Sequence, residues 1–240
     1  MSLLGFLPCF AVTPPTLISH DSSVYNANAA SRSVTPASGW QAADVIVVVA
    51  VDEGAASESF NTPTASGLTF TNVINHAASS DPALLISTAT AAGSGSGPIT
   101  VTLTATRQFG MSVYVFRGSD GIGNNASQFT SSRTVNLTPT AADSAVVWAV
   151  GDWAAAVVQS PTPTPTNADV AVRSTSIYTV YVDELTDQSS AGTTAYGIGG
   201  SGTGPFSIGA IEIKGAAGGG GSPAAGVSKR QKLQRLDLLP

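Results

Sequence analysis

The stretch that most constrains this chain is "VIVVVAV", residues 45–51, in which every position is apolar. A β-strand sends alternate side chains to opposite faces, so a half-exposed strand alternates apolar with polar residues. An unbroken run of β-branched residues fits a central strand covered on both faces. The second cover can come from the chain itself or from another part of an assembly, and the run alone does not choose between them. It is too short to cross a bilayer, and no other stretch approaches the roughly 18 apolar residues of a spanning helix.

Other segments alternate with period two. In "ITVTLTA", Ile99, Val101, Leu103 and Ala105 face one way and Thr100, Thr102 and Thr104 the other, the pattern of a half-buried strand. "GLTFTNVIN" from Gly67, "ALLISTAT" from Ala83, "MSVYVFRG" from Met111, "DSAVVWAVGDW" from Asp143, "TSIYTVYVDE" from Thr175 and "PFSIGAIEIKG" from Pro205 also read as strands. In the last, the apolar phase slips between Ile208 and Ile211, and a bulge at Gly209 is the simplest expectation. Between the runs lie turn clusters such as "AAGSGSGP", "GSDGIGNNAS" and "GIGGSGTGP". The expectation is an all-β chain of roughly ten strands with almost no helix: an antiparallel β-sandwich, jelly-roll-like, over residues 16–215.

The flanks differ from this body. "MSLLGFLPCFAV" has no basic segment ahead of its apolar run, which Pro8 interrupts, and Pro14 and Pro15 follow. Residues 1–15 therefore read as an extended N-terminal arm and not as a signal peptide. Residues 216–227 form a Gly/Ala-rich linker, and residues 228–240 a basic tail. Residues 1–228 hold 6 bases and 14 acids, a net −8, whereas 229–240 hold 4 bases and 1 acid, a net +3. Ser228 and Gln231 have capping-box spacing, so a short helix is expected to begin at Lys229. Such a helix is too short to hold alone in water and needs a surface. The residues expected to meet that partner are Lys229, Arg230, Lys232, Leu233, Arg235, Leu236, Leu238 and Leu239.

Composition also restricts chemistry. An acidic body argues against nucleic acid as the main partner. A single cysteine, Cys9, excludes an internal disulfide and reads as a small apolar residue. The only two histidines, His20 and His76, read as strand-end or loop residues, and no G-x-S-x-G elbow supports a nucleophile. Gly197, Gly199 and Gly202 have dinucleotide-loop spacing, but a strand follows where a helix would be required. The acid pairs Asp52–Glu53 and Asp183–Glu184 could serve glycoside hydrolysis or hold Ca²⁺; neighbours on a strand point oppositely, so each reads instead as solvent-facing strand-end charge. Trp148 reads as core, while Trp153 and Tyr181 are the candidates for exposed rings that could stack on a glycan. No cofactor, metal or catalytic residue is expected.

The segments "PTLISHDSSVYNANAASRSVTPASGWQAADVIVVVAV", "ATAAGSGSGPITVTLTATRQFGMSVYVFRGSDGIG", "AVVWAVGDWAA" and "DQSSAGTTAYGIGGSGTGPFSIGAIEIKG" resemble the β-rich virion structural proteins of tailed bacteriophages, of the minor tail or head-decoration type. The resemblance spans roughly residues 14–215 and consists of strand and turn patterns. It implies a non-enzymatic structural protein made in the bacterial host cytoplasm and located in the virion. Its arms would attach it to capsid or tail subunits, as a homo-oligomer or bound to a lattice, with no membrane involved. The alternative is a β-sandwich module that binds carbohydrate on a host surface.

Overall fold

The computed structural model describes residues 12–23, 27–54, 57–153, 158–173, 178–188, 192–200 and 204–216. Cys9 and the basic tail from Lys229 to Leu239 lie outside the described residues.

Fourteen strands and no helix occur among the described residues, so the all-β reading holds. The first half of the chain supplies β1 (Thr16–Ser23), β2 (Asn28–Val34), β3 (Val45–Asp52), β4 (Thr71–His76), β5 (Leu84–Thr90) and β6 (Ile99–Arg117). The second supplies β7 (Ser119–Thr130), β8 (Thr134–Leu137), β9 (Ser144–Asp152), β10 (Pro161–Thr162), β11 (Asn167–Arg173), β12 (Tyr178–Gln188), β13 (Thr194–Ile198) and β14 (Phe206–Gly215). All pairings between these strands are antiparallel.

Sheet I has the order β1-β6-β3-β5-β4, and sheet II the order β11-β12-β9-β14-β7. Read from the other edge, sheet II is β7-β14-β9-β12-β11, so the first, last, second, fourth and third of the five principal strands of each half occupy the same places. The chain completes sheet I before it begins sheet II. A jelly roll passes its strands back and forth between sheets, and that refinement of the expected sandwich is not seen in this connectivity.

Each half also folds a ribbon over the outer face of its own sheet. In the first half β2 pairs with the early part of β6, whose other side meets the segment around Phe60 and Thr64. In the second, β8, β13 and β10 form a separate three-stranded sheet. The result is four layers: ribbon, sheet I, sheet II, ribbon.

Three apolar clusters fill the gaps. Val34, Ile99, Val101 and Leu103 of the first ribbon pack on Ile46, Val48 and Ala50 of β3. Val45, Val47, Val49 and Val51 face the other way and meet Ala145, Val147 and Ala149 of β9 between the sheets. Val146, Trp148 and Val150 meet Val135, Leu137, Tyr196 and Ile198 of the second ribbon. "VIVVVAV" thus has no polar position because both of its faces are interior, and the chain itself supplies both covers.

The halves match at several positions in register. Asp52 lies opposite Phe109 where β3 pairs with β6, and Asp152 opposite Phe206 where β9 pairs with β14. Arg32 sits 5.3 Å over Phe109, and Arg133 sits 4.9 Å over Phe206. The sequence carries the same duplication, with "SRSVTPASGWQAADVIVVVAV" from Ser31 and "SRTVNLTPTAADSAVVWAV" from Ser132. Contacts of β1 with β11 and of β4 with β7 show that the stacking reverses the strand order, so the halves are related by an approximate two-fold axis along the strands.

Gly209 corrects one expectation. The pairing of β14 with β9 is regular through it, and the irregularities lie instead between Ile211 and Gly215, on the β7 side. Phe206, Ile208 and Ala210 face the ribbon, whereas Ile211 and Ile213 face sheet I. Gly209 belongs to this second set and lets the sheets approach: an added Cβ would stand 2.9 Å from Ile74 Cδ1, 3.1 Å from Leu84 Cδ2 and 3.2 Å from Ile86 Cδ1. Gly209→Val is expected to overpack this contact and cost about 1–3 kcal/mol, read as a lowered denaturant midpoint at unchanged m-value.

Candidate functional site

The chain enters and leaves the sandwich at one place. Thr13 and Ala216 form an isolated antiparallel bridge, with N–H···O distances of 3.0 and 3.1 Å in the two directions. The same end holds the crossover at Gly118, whose φ of +72° turns the chain from sheet I into sheet II. Residues 12–15 and 216 are the described parts of the two flanks that the sequence leads one to expect as arms.

This end is braced by charge. Arg117, at the close of β6, donates through Nε (2.9 Å) and Nη2 (2.8 Å) to the buried carboxylate of Asp44, a bidentate pair. Asp44 also accepts from Gln41 N at 2.7 Å, which fixes the turn into β3. In the second half Glu212, fully buried, accepts from the backbone N–H groups of Asn124, Thr140 and Ala141 and from the hydroxyls of Thr140 and Ser144. Burial opposes its charge, but these donors outweigh burial and hold the carboxyl below the usual range. Glu212 so pins the turn 140–144, against whose carbonyls Gly215 is pressed: a Cβ there would lie 2.5 Å from Asp143 O.

The two histidines seal the sandwich edges. His20 lies within β1, stacks on Tyr114 at 4.4 Å, and shares a 2.8 Å hydrogen bond between Nε2 and Asp169 Oδ2 across the sheets. Ser112 Oγ donates to the same oxygen at 2.5 Å. Burial raises the Asp169 carboxyl, and the hydrogen bonds from His20 and Ser112 more than reverse this and lower it. Here aspartate sits between serine and histidine, whereas a nucleophilic triad needs histidine in the middle, so this constellation is a latch. At the opposite edge His76 stacks on Phe129 at 3.7 Å and bonds Asp81 at 2.7 Å.

Several expectations about side chains are corrected. Tyr181, expected as an exposed ring, is fully buried in the cluster beneath the second ribbon, and its hydroxyl accepts from Gln159 N at 2.7 Å. Trp153 is half-buried against the inter-sheet cluster. The two rings do not form one stacking platform. Asp52, Asp183 and Glu184, expected at the surface, are 0 % exposed, while Glu53 is half-buried. The reason is that a sheet with covers on both faces buries both members of an alternating pair. Neither carboxylate oxygen of Asp183 has a hydrogen-bond partner among the described residues, and burial followed by the charge of Asp169 pushes it up to about 7. Glu184 is raised by burial, against a 2.8 Å hydrogen bond from Asn167 Nδ2.

Among the described residues no three His, Cys, Asp or Glu side chains are placed to hold a metal ion, and no helix is long and apolar enough to cross a membrane. Comparison with protein families, with curated proteins and with solved structures found no match. Sequence reading missed Glu212, Asp44 and the arm bridge, because their partners are backbone groups or residues far along the chain. The repeat of "SRxV" and "AAD" ahead of each apolar run was the available signal for the duplication.

Two carboxyls give opposite pH signatures. Asp183 has its folded pKa raised from 3.8 to about 7, so its ionisation destabilises the fold progressively between those values and fully above them. Asp183→Asn is expected to raise the unfolding free energy by a few kcal/mol, on the order of its pKa shift, at pH 8 and to change it little at pH 4. Glu212, held low, contributes stability above its unfolded pKa that is lost as pH falls through its folded value. Glu212→Ala, which strands buried amides, is expected to cost about 3–5 kcal/mol at pH 7 by urea denaturation, with the loss shrinking in acid.

Proposed function

We propose that this chain is a non-enzymatic structural subunit of a tailed-bacteriophage particle, a capsid decoration or tail-associated protein held through its terminal arms. Its partners on this reading are capsid or tail subunits, and it works in several copies on a symmetric or lattice-like support after synthesis in the host cytoplasm. The observation that carries the reading is the Thr13–Ala216 bridge, which roots both arms at one end of a rigid four-layered body. One docking event there would leave the rest of the sandwich clear of the particle.

The sheet edges support attachment by arms over lateral polymerisation. Pairing is interrupted by a bulge or irregularity on β1 between Leu17 and Ser19, on β4 between Asn72 and Ile74, and at two places along β7. The fourth edge strand, β11, turns the charge of Asp169 inward. Such bulges and inward charges blunt an edge against strand addition. The resemblance to virion structural proteins supplies the class, and the net +3 of residues 229–240 against a net −8 elsewhere supplies a contact chemistry suited to an acidic partner surface.

The reading is tested by co-sedimentation of the full chain and a 1–215 truncation with particles lacking the protein, at low and high salt. Salt-sensitive binding that is lost on truncation is expected. Equal binding by both forms would transfer the anchor to the N-terminal arm or the body. Binding by neither, with glycan binding that Trp153→Ala abolishes, would replace this reading by the carbohydrate module.

A further inference from the structure

The end of the sandwich opposite the arms contains a group of buried oxygen acceptors with too few donors. Asp52 closes β3 and is 0 % exposed, Glu58 is 4 % exposed and Gln108 is 8 % exposed. Asp52 Oδ1 is well used: it accepts from Gly54 N at 2.8 Å and from Ala83 N at 2.6 Å, joining the loop after β3 to the loop before β5. Asp52 Oδ2, Glu58 Oε2 and Gln108 Oε1 have no hydrogen-bond partner among the described residues. Two are carboxylate oxygens and one is an amide oxygen, and each can be satisfied only by an N–H or O–H donor. Glu53 ties the group together, since its N–H donates to Gln108 O at 2.9 Å and its carboxylate accepts from Gln108 N at 3.5 Å.

We propose that Asp52 is a proton-controlled latch on the loops at this end, closed when its carboxyl carries a proton and progressively released when it ionises. The protonated carboxyl keeps Gly54 and Ala83 on Oδ1 and offers Oδ2–H to an acceptor of this buried group. The ionised carboxyl has no donor for Oδ2 among the described residues and adds a third negative charge beside Glu53 and Glu58. Arg107 offsets one of these through its 2.5 Å bond to Glu58 Oε1, and Arg32 lies over the neighbouring Phe109 ring. Across Gly54 lies the backbone carbonyl of Asp81, whose carboxylate is bonded to His76. Burial, followed by the charges of Glu58 and Glu53, overcomes the two backbone hydrogen bonds and pushes Asp52 up to about 7.

The sign follows from linkage. An opened loop exposes Asp52, whose carboxyl then returns toward its ordinary value of 3.8. Between that value and about 7 the open state releases the proton more readily, so opening is favoured by up to tenfold per pH unit and levels off above about 7. At the other end of the molecule Asp44 and Glu212 are supplied with donors, so the device belongs to this end alone of the two.

Hydrogen exchange of the Gly54 and Ala83 amides in the full chain, corrected for intrinsic rates, tests the proposal across pH 4 to 9. Their protection is expected to fall with rising pH by as much as a thousandfold in all, on the order of the Asp52 shift, and then to level off. In Asp52→Asn the profile is expected to be flat and well protected, because Asn keeps the acceptor and donates permanently through Nδ2. Asp183→Asn, with its carboxyl in another layer, is expected to retain the wild-type profile at these two amides. A flat wild-type profile, or a pH dependence that persists in Asp52→Asn and so belongs to His76 or Asp81, would overturn it.

Discussion

Burying a strand on both faces sets the terms for everything else in this molecule. β3 and β9 have no exposed side chain, so each must be flanked by strands that satisfy its backbone and sandwiched by layers that cover both rows of side chains. Each half of the chain can supply one cover, its own ribbon, but the inner rows Val45 to Val51 and Ala145 to Ala149 can only cover each other. Fully burying one Val, Ile or Phe contributes about 1.5–3 kcal/mol, while a whole domain is stable by only about 5–15 kcal/mol. A few of these contacts therefore rival the net stability, and the two halves depend on one another.

The approximate two-fold symmetry shows which polar groups the frame requires and which it merely tolerates. Arg32 and Arg133 recur over equivalent rings, and Asp52 and Asp152 recur at equivalent strand ends. By contrast Asp183 and Glu184 stand opposite Trp148 and Val147, where the first half has Ser87 and Thr88 opposite Val48 and Val47. The frame is satisfied by hydroxyls there, so the second half carries buried carboxyls that it could fold without. The two halves also brace the arm end differently, one with the Arg117–Asp44 pair and the other with Glu212 in a nest of amides. Equivalent backbones have thus been given different electrostatics in the two halves of the molecule.

Apolar patterning, unbroken in β3 and alternating elsewhere, was enough to recover β3, β4, β5, β9, β12 and β14 and both ends of β6, which it read as two segments, because their core faces are written in Val, Ile and Leu. It was not enough for β1, β2, β7, β8, β10, β11 and β13, which are short or polar and owe their conformation to a neighbouring strand. "SDGIGNNASQFT" looks like a loop, yet it is the edge strand β7 because β14 offers it a row of backbone partners.

The sequence by itself determined an all-β body whose flanks differ from it in composition, and it determined that "VIVVVAV" would have no solvent face. These follow from side-chain periodicity and composition, which are local quantities. Tertiary structure alone decided which layer covers which row, that Tyr181, Asp183 and Glu184 are interior, that Gly209 marks close sheet contact, and that Thr13 meets Ala216. Burial and hydrogen bonding at those places depend on residues brought from distant parts of the chain, and no local pattern carries that information.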